Sequence, residues 1–162
     1  MLESLLFTYE FNLRNARHVV DGLTPEQCVA QPGVLLNHPA WSIGHLALTS
    51  DVMMLEMGQE QVFPGEWMER FFPGAPITGH VDDYPPMSEL MDQLDKQHAR
   101  VSARLPEISV EELAAPPQME LVQRRFSQVA QFVTYAMTGH EGFHLGQIAC
   151  TRRALGLENA DL

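Results

Sequence analysis

Apolar residues recur at alternating spacings of three and four along four stretches of the chain, the pattern of helices that bury one face. The four long helices predicted from this pattern cover about residues 2–22, 38–58, 88–105 and 126–155. Gly58, Pro106 and Gly156 mark the ends of the last three. No alternating apolar and polar run predicts a strand. The sequence therefore predicts an all-α fold, a four-helix bundle.

The connections between these helices carry their own signals. Capping-box patterns at 24–27 and 109–112 predict two short helices, each closed by a following proline. The segment 58–86 holds five prolines and four glycines, which predicts a long crossover between the second and third long helices. A helical turn or two is expected inside it, around 66–72. No internal repeat or low-complexity tract interrupts this plan.

Composition narrows the class of protein. A length of 162 residues predicts a single domain that spans residues 1–162. A formal net charge of −11 argues against nucleic-acid binding, which depends on clustered Lys and Arg. No apolar run is long enough to span a bilayer, and the N-terminus lacks the features of a signal peptide. The only cysteines, Cys28 and Cys150, do not form a disulfide framework. We expect a cytoplasmic protein that does not bind membranes.

Three histidines lie on predicted inward faces. His140 and His144 stand four residues apart in GHEGFHLGQI, so both imidazoles lie on one face of the fourth helix. His45 lies on the inward face of the second helix. Burying three imidazoles costs free energy unless each has a partner, and one metal ion satisfies all three. The pattern predicts a divalent metal site with open positions, against the alternative of histidines that merely line a core or pocket.

Candidate proton carriers near this site are Glu141, Tyr9 and His98, and the sequence does not choose among them. His98 lies on the inward face of the third helix. It could be a fourth ligand, a partner of a ligand or a base in a pocket, or it could lie near the helix end with its tip in water. The remaining histidines are predicted to be surface or capping residues: His18, His80 and His38.

The run HEGFH at 140–144 matches the H-E-x-x-H pattern of zinc peptidases, in which the glutamate is the general base. We reject a peptidase because Gln147 and Cys150 occupy the positions where the extended motif needs glycine and histidine. A downstream glutamate ligand would have to be Glu158. The predicted fold also lacks strands to hold an extended peptide. Cys150 is expected to be a small core residue rather than a nucleophile.

The runs HPAWSIGHLA (38–47) and HEGFHLGQIACTRRALG (140–156) resemble the DinB-like superfamily, also called DNA-damage-inducible or YfiT-like metalloenzymes. The resemblance implies that His45, His140 and His144 bind a divalent metal, most often zinc or nickel, with iron also open. It further implies an up-down-down-up bundle that is commonly a homodimer. Characterised relatives include bacillithiol-using thiol S-transferases and a mycothiol-dependent isomerase. Polar residues that some thiol-using relatives carry near the metal cannot be placed in this sequence.

These features predict a metalloenzyme that acts on a small molecule. Transfer of a low-molecular-weight thiol is the expected chemistry, because zinc and nickel bind thiolates well and the chain offers no well-placed nucleophile of its own. The alternative is a metal-binding module or sensor without catalysis. An open metal position facing a pocket would favour the enzyme, and full coordination by the protein would favour the module.

Overall fold

The computed structural model describes residues 2–35 and 37–157, and within them the chain is helical and has no strand. The α-helices are α1 Leu2–Val20, α2 Pro25–Cys28, α3 Pro39–Glu56, α4 Gly65–Phe71, α5 Met87–Arg104, α6 Val110–Ala114, α7 Glu120–Gln123, α8 Val129–Tyr135 and α9 Glu141–Ala154. Short 3₁₀ turns cover Val81–Asp83 and Leu105–Glu107, and a π-helical turn covers Ala136–His140. The predicted all-α class is confirmed.

The predicted short helices begin at the expected caps. In α2, the Thr24 hydroxyl accepts from the backbone N–H of Gln27, whose side chain accepts from the N–H of Thr24. Ser109 and Glu112 make the same reciprocal pair at α6. These bonds satisfy N–H groups that a helix start leaves without partners. α4 forms inside the long crossover, where a helical turn or two was expected, whereas α7 was not predicted.

The core lies where the long helices meet. α1 packs against α5 and α9, and α3 packs against the same two helices. One buried apolar cluster includes Leu13, Ile43 and Ile148, and a second includes Met53 and Met137. Each large side chain buried in this way contributes about 1.5–3 kcal/mol. Within residues 2–35 and 37–157, no helix is both long and apolar enough to cross a membrane.

The fourth long helix differs from the prediction of one uninterrupted α-helix. α8 continues through the π-helical turn Ala136–His140 into α9 with right-handed helical backbone at both junctions. The Asn12 side chain of α1 donates a hydrogen bond to the carbonyl of Met137 in this turn, at 3.1 Å. The apolar spacing is nearly unchanged by one wide turn, so the pattern did not reveal it. π-turns are often found at functional sites, and this one ends at His140.

The crossover is attached to the core by a buried carboxylate. Asp51 is fully buried in α3, and it accepts hydrogen bonds from the backbone N–H groups of Val62 and Phe63. Arg100 of α5 donates to the same carboxylate at 2.7 Å. Because a buried carboxylate without partners is costly, these bonds fix the start of the segment that leads to α4. They thereby help to position Phe71, which contacts the site described next.

Candidate metal centre

His45 is held in one orientation by two neighbours. Its Nδ1–H donates to the backbone carbonyl of Phe71 at 2.8 Å, and because a carbonyl only accepts, Nδ1 must carry the proton. The Trp41 ring stacks on the imidazole with centroids 4.6 Å apart and planes 11° from parallel. The unprotonated Nε2 is left to face the Nε2 of His140 at 3.1 Å. This is how metal-binding histidines are commonly oriented in proteins.

The two histidines of the fourth helix complete the cluster. His140 ends the π-turn and His144 follows in α9, with ring centroids 4.6 Å apart. One ring nitrogen from each of His45, His140 and His144 lies within 4.8 Å of the others. Metal–nitrogen bonds of about 2.1 Å place neighbouring ligand nitrogens about 3.0–3.4 Å apart. The His45–His140 separation already fits, and small side-chain rotations bring in the third ring.

All three imidazoles are in the neutral form that binds metals. Burial lowers the pKa of His45 to about 4. Burial and the neighbouring His45 lower the pKa of His144 to about 3, and burial, the other two histidines and Arg125 lower that of His140 to about 2. Within the described residues, the Nδ1 atom of His140 is buried without a hydrogen-bond partner. The protein alone therefore leaves the His140 ring incompletely satisfied, and a set of three neutral ring nitrogens fits a divalent ion.

A cavity of about 150 Å³ lies beside the cluster, and His45 and His140 form part of its wall. Most of the wall is apolar and comes from α3, α8 and the segment 119–126. The polar groups on it, apart from the two histidines, belong to Thr49, Arg125 and Tyr135. An apolar pocket with a few polar groups is the usual form of a small-molecule site.

The three candidate proton carriers lie together in a second buried cluster. The rings of Tyr9 and His98 stack 3.6 Å apart, and His98 Nε2 lies 2.7 Å from Glu141 Oε1. The Tyr9 hydroxyl hydrogen-bonds the Ser50 hydroxyl at 2.9 Å. None of the three candidates lines the cavity. Their role in proton transfer stays a prediction.

Burial sets the charge state of this second cluster. It raises the pKa of the Glu141 carboxyl well above its usual range, and it lowers the pKa of His98 to about 3. Both shifts favour a neutral pair in which the protonated carboxyl donates to Nε2. Burial also raises the pKa of the Tyr9 hydroxyl. Glu141, the glutamate of the HEGFH run, is bound to His98 and does not line the cavity beside the histidines, which argues against the role of a peptidase base.

The remaining sequence predictions have mixed outcomes. His18 and His80 are exposed, and His38 caps α3 by accepting from the Trp41 N–H, as predicted. Cys150 is exposed, so its prediction as a core residue was wrong. The neighbouring Thr151 takes the inward position on α9 instead, with no exposed surface. Glu158 lies outside the described residues.

The sequence profile of the DinB superfamily matches residues 8–148, a range that contains all three clustered histidines. The chain belongs to the DinB superfamily. The resemblance inferred from the two histidine runs is confirmed. Proteins of this superfamily generally bind divalent metals, in agreement with the geometry of the cluster. A search of curated proteins and a search of solved structures found no match.

Two features that shape the site were not predicted. Phe71 acts through its backbone carbonyl, which no side-chain pattern reveals. Arg125 reaches the cavity from the unpredicted segment around α7, where short irregular turns hide which side chains point inward.

Proposed function

We propose that this DinB-superfamily protein is a metal-dependent enzyme that transfers a low-molecular-weight thiol to an electrophilic carbon. The observation that carries the proposal is that His45 and His140 belong both to the three-histidine cluster and to the wall of a cavity. A divalent ion held by the three imidazoles would supply positive charge that lowers the pKa of a bound thiol. The particular metal is proposed to be zinc or nickel, with iron open.

The protein's own residues orient the ligands and keep water away. The Phe71 carbonyl fixes the tautomer of His45, and the Trp41 ring covers one face of its imidazole. The apolar cavity wall displaces water from the reacting groups, which strengthens electrostatic interactions there. In the transfer, the thiol sulfur forms a bond to the electrophilic carbon, the leaving group departs with its bonding electron pair, and the thiol proton passes to solvent.

The attacking thiol is proposed to come from solution. Cys150 is exposed and Cys28 is buried, and neither lines the cavity beside the histidines. Burial raises the pKa of the Cys28 thiol to about 11, so the reactive thiolate is scarce at neutral pH. The cavity is small, which suits a thiol of low molecular weight.

A metal-binding module without catalysis is the rival, and coordination number separates the two. Within the described residues the cluster contains three ligand candidates, one fewer than a closed structural site uses. A small-molecule cavity next to an incomplete ligand set favours the enzyme.

The test is a panel of thiols with 1-chloro-2,4-dinitrobenzene, run with zinc or nickel and with a chelator. We expect a chelator-sensitive rate in the wild type and at least about a tenfold loss in His45→Ala, because changing even a group that only hydrogen-bonds to a metal ligand costs about 10–100-fold. His18→Ala, which changes an exposed histidine outside the cluster, is the matched control and should keep the rate. Absence of a chelator-sensitive rate with every thiol would support the non-catalytic module.

The finer architecture belongs to the same proposal. We infer that α1, α3, α5 and the continuous α8–α9 rod form a four-helix bundle in up-down-down-up order. The packing of both α1 and α3 against α5 and α9 supports this arrangement. A homodimer is also proposed, so analytical ultracentrifugation should give twice the chain mass of 18.2 kDa. A mass of one chain at micromolar concentration would contradict it.

A further inference from the structure

The charge on the wall of the cavity beside the histidines is positive. Arg125 is the only charged side chain among its described lining residues, and no Asp or Glu lines it. The whole chain nevertheless carries a formal net charge of −11. Acidic side chains are therefore abundant in the protein but absent from the described part of this wall, where Arg125 is the one cation.

The neighbouring Arg124 is placed differently from Arg125. Arg124 points to the surface, where it forms an ion pair with Glu120 at 2.7 Å. Arg125 has no ion pair with any of the described residues. Its guanidinium carries five N–H donors in a fixed fork and stays charged at every relevant pH. Such a group at the edge of an apolar cavity is available to a bound ligand.

Charge balance indicates what the ligand brings. The three imidazoles are neutral, so they add no negative charge to offset a divalent ion. Arg125 adds a further positive charge on the same cavity wall. Together these positive charges favour an anionic ligand, because opposite charges attract.

We propose that the cavity selects small thiols that carry a carboxylate, and that Arg125 binds this carboxylate while the thiol reaches the three-histidine cluster. This inference rests on the proposed thiol-transfer function. A guanidinium matches a carboxylate through two parallel hydrogen bonds, which gives direction as well as affinity. The volume of about 150 Å³ and the apolar wall restrict the linker between the two groups to a short aliphatic chain.

The test is isothermal titration calorimetry of the zinc-loaded protein with three ligands of similar size. 3-Mercaptopropionate carries both groups, 3-mercaptopropanol lacks the carboxylate, and butanoate lacks the thiol. The wild type should bind 3-mercaptopropionate about tenfold more tightly than 3-mercaptopropanol, because hydrogen bonds to charged groups contribute more than neutral ones. Arg125→Gln should remove this preference and leave the affinity for 3-mercaptopropanol within about twofold.

Two further variants test whether ligand preference depends on the two-pronged geometry of the Arg125 guanidinium or only on its positive charge. Arg124→Gln removes the same charge one residue away and should keep the full preference. Arg125→Lys keeps the charge but loses the two-pronged geometry, and it should retain only part of the preference. Both substituted positions, Arg124 and Arg125, carry exposed side chains, so loss of folding is not expected.

The outcomes distinguish the two proposals. Equal affinity for 3-mercaptopropionate and 3-mercaptopropanol in the wild type would overturn the role of Arg125, as would equal losses in Arg124→Gln and Arg125→Gln. If butanoate binds as tightly as 3-mercaptopropionate and Arg125→Gln weakens both, the carboxylate site stands and the thiol proposal fails.

Discussion

A single methyl group at Gly44 tests how the metal site is supported. Gly44 precedes His45 in α3, and a Cβ placed there would lie 2.2 Å from Cε1 and 2.4 Å from Cδ1 of the Phe71 ring. Ordinary van der Waals contact begins at 3.4 Å, so the ring would have to move by about 1.2 Å (3.4 minus 2.2). The Phe71 side chain is fully buried and packs against Trp67, with ring centroids 4.8 Å apart.

The expected magnitude follows from two opposing terms. Alanine favours a helix interior over glycine by about 1 kcal/mol, and overpacking a tight core costs about 1–3 kcal/mol. Gly146→Ala in α9 supplies the first term alone, because a Cβ there meets nothing within 4 Å. The free energy of unfolding of Gly44→Ala should therefore fall about 1–3 kcal/mol below that of Gly146→Ala.

The assay is urea unfolding followed by circular dichroism, with chelator present so that metal binding does not contribute. Adding Phe71→Leu to Gly44→Ala should recover part of the loss, and a double-mutant cycle with Phe71→Leu alone measures the coupling. If Gly44→Ala is stabilised as much as Gly146→Ala, the close packing of Phe71 on α3 is wrong. The placement of the Phe71 carbonyl beside His45 would then be contradicted as well.

Three other predictions concern groups outside the metal cluster. Glu141→Gln should bind as much metal as the wild type, and neither protein should have peptidase activity. Loss of the metal in the variant, or peptidase activity in the wild type, would contradict the separation of Glu141 from the three-histidine cluster. Burial lowers the pKa of His38 to about 4 from 6.5 in the unfolded chain. Between these two pH values the folded state therefore binds fewer protons than the unfolded state. The stability from this ring, at most about 3 kcal/mol, is complete above pH 6.5 and is lost as pH falls toward 4. His38→Asn keeps a capping acceptor and should show a smaller drop in urea midpoint between pH 7 and pH 5, and an equal drop would refute this role. Ellman's reagent should modify the exposed Cys150 rapidly in the folded protein and Cys28 only after unfolding; equal rates would mean that the burial of Cys28 is wrong.

Periodicity predicted the long helices because each buries a continuous apolar stripe. The i, i+4 pair of His140 and His144 and the inward position of His45 followed from the same periodicity, and the three rings do meet. Local capping chemistry was equally legible, since Thr24 and Ser109 act on N–H groups within three residues.

What the sequence did not reveal depends on contacts between distant residues. The π-turn is stabilised by Asn12, more than a hundred residues from the Met137 carbonyl that it binds. The pairing of His98 with Glu141 joins α5 to α9, two helices that both pack against α1 and α3, and only the folded structure shows that these two side chains hydrogen-bond to each other. Cys150 was wrongly predicted to be buried because successive residues of a helix are rotated by about 100°. A residue next to an inward position can therefore face solvent.

The central claim is that His45, His140 and His144 share one divalent ion. Its most direct test is elemental analysis of untagged protein, purified without added metal and then compared after loading, in the wild type and in His45→Ala, His144→Ala, His18→Ala and His80→Ala. We expect about one ion per chain in the wild type and in the two exposed-histidine controls, and almost none in His45→Ala and His144→Ala, because a ligand set of three neutral nitrogens fails when one is removed. Equal metal content in all four variants would mean nonspecific surface binding and would contradict the shared site.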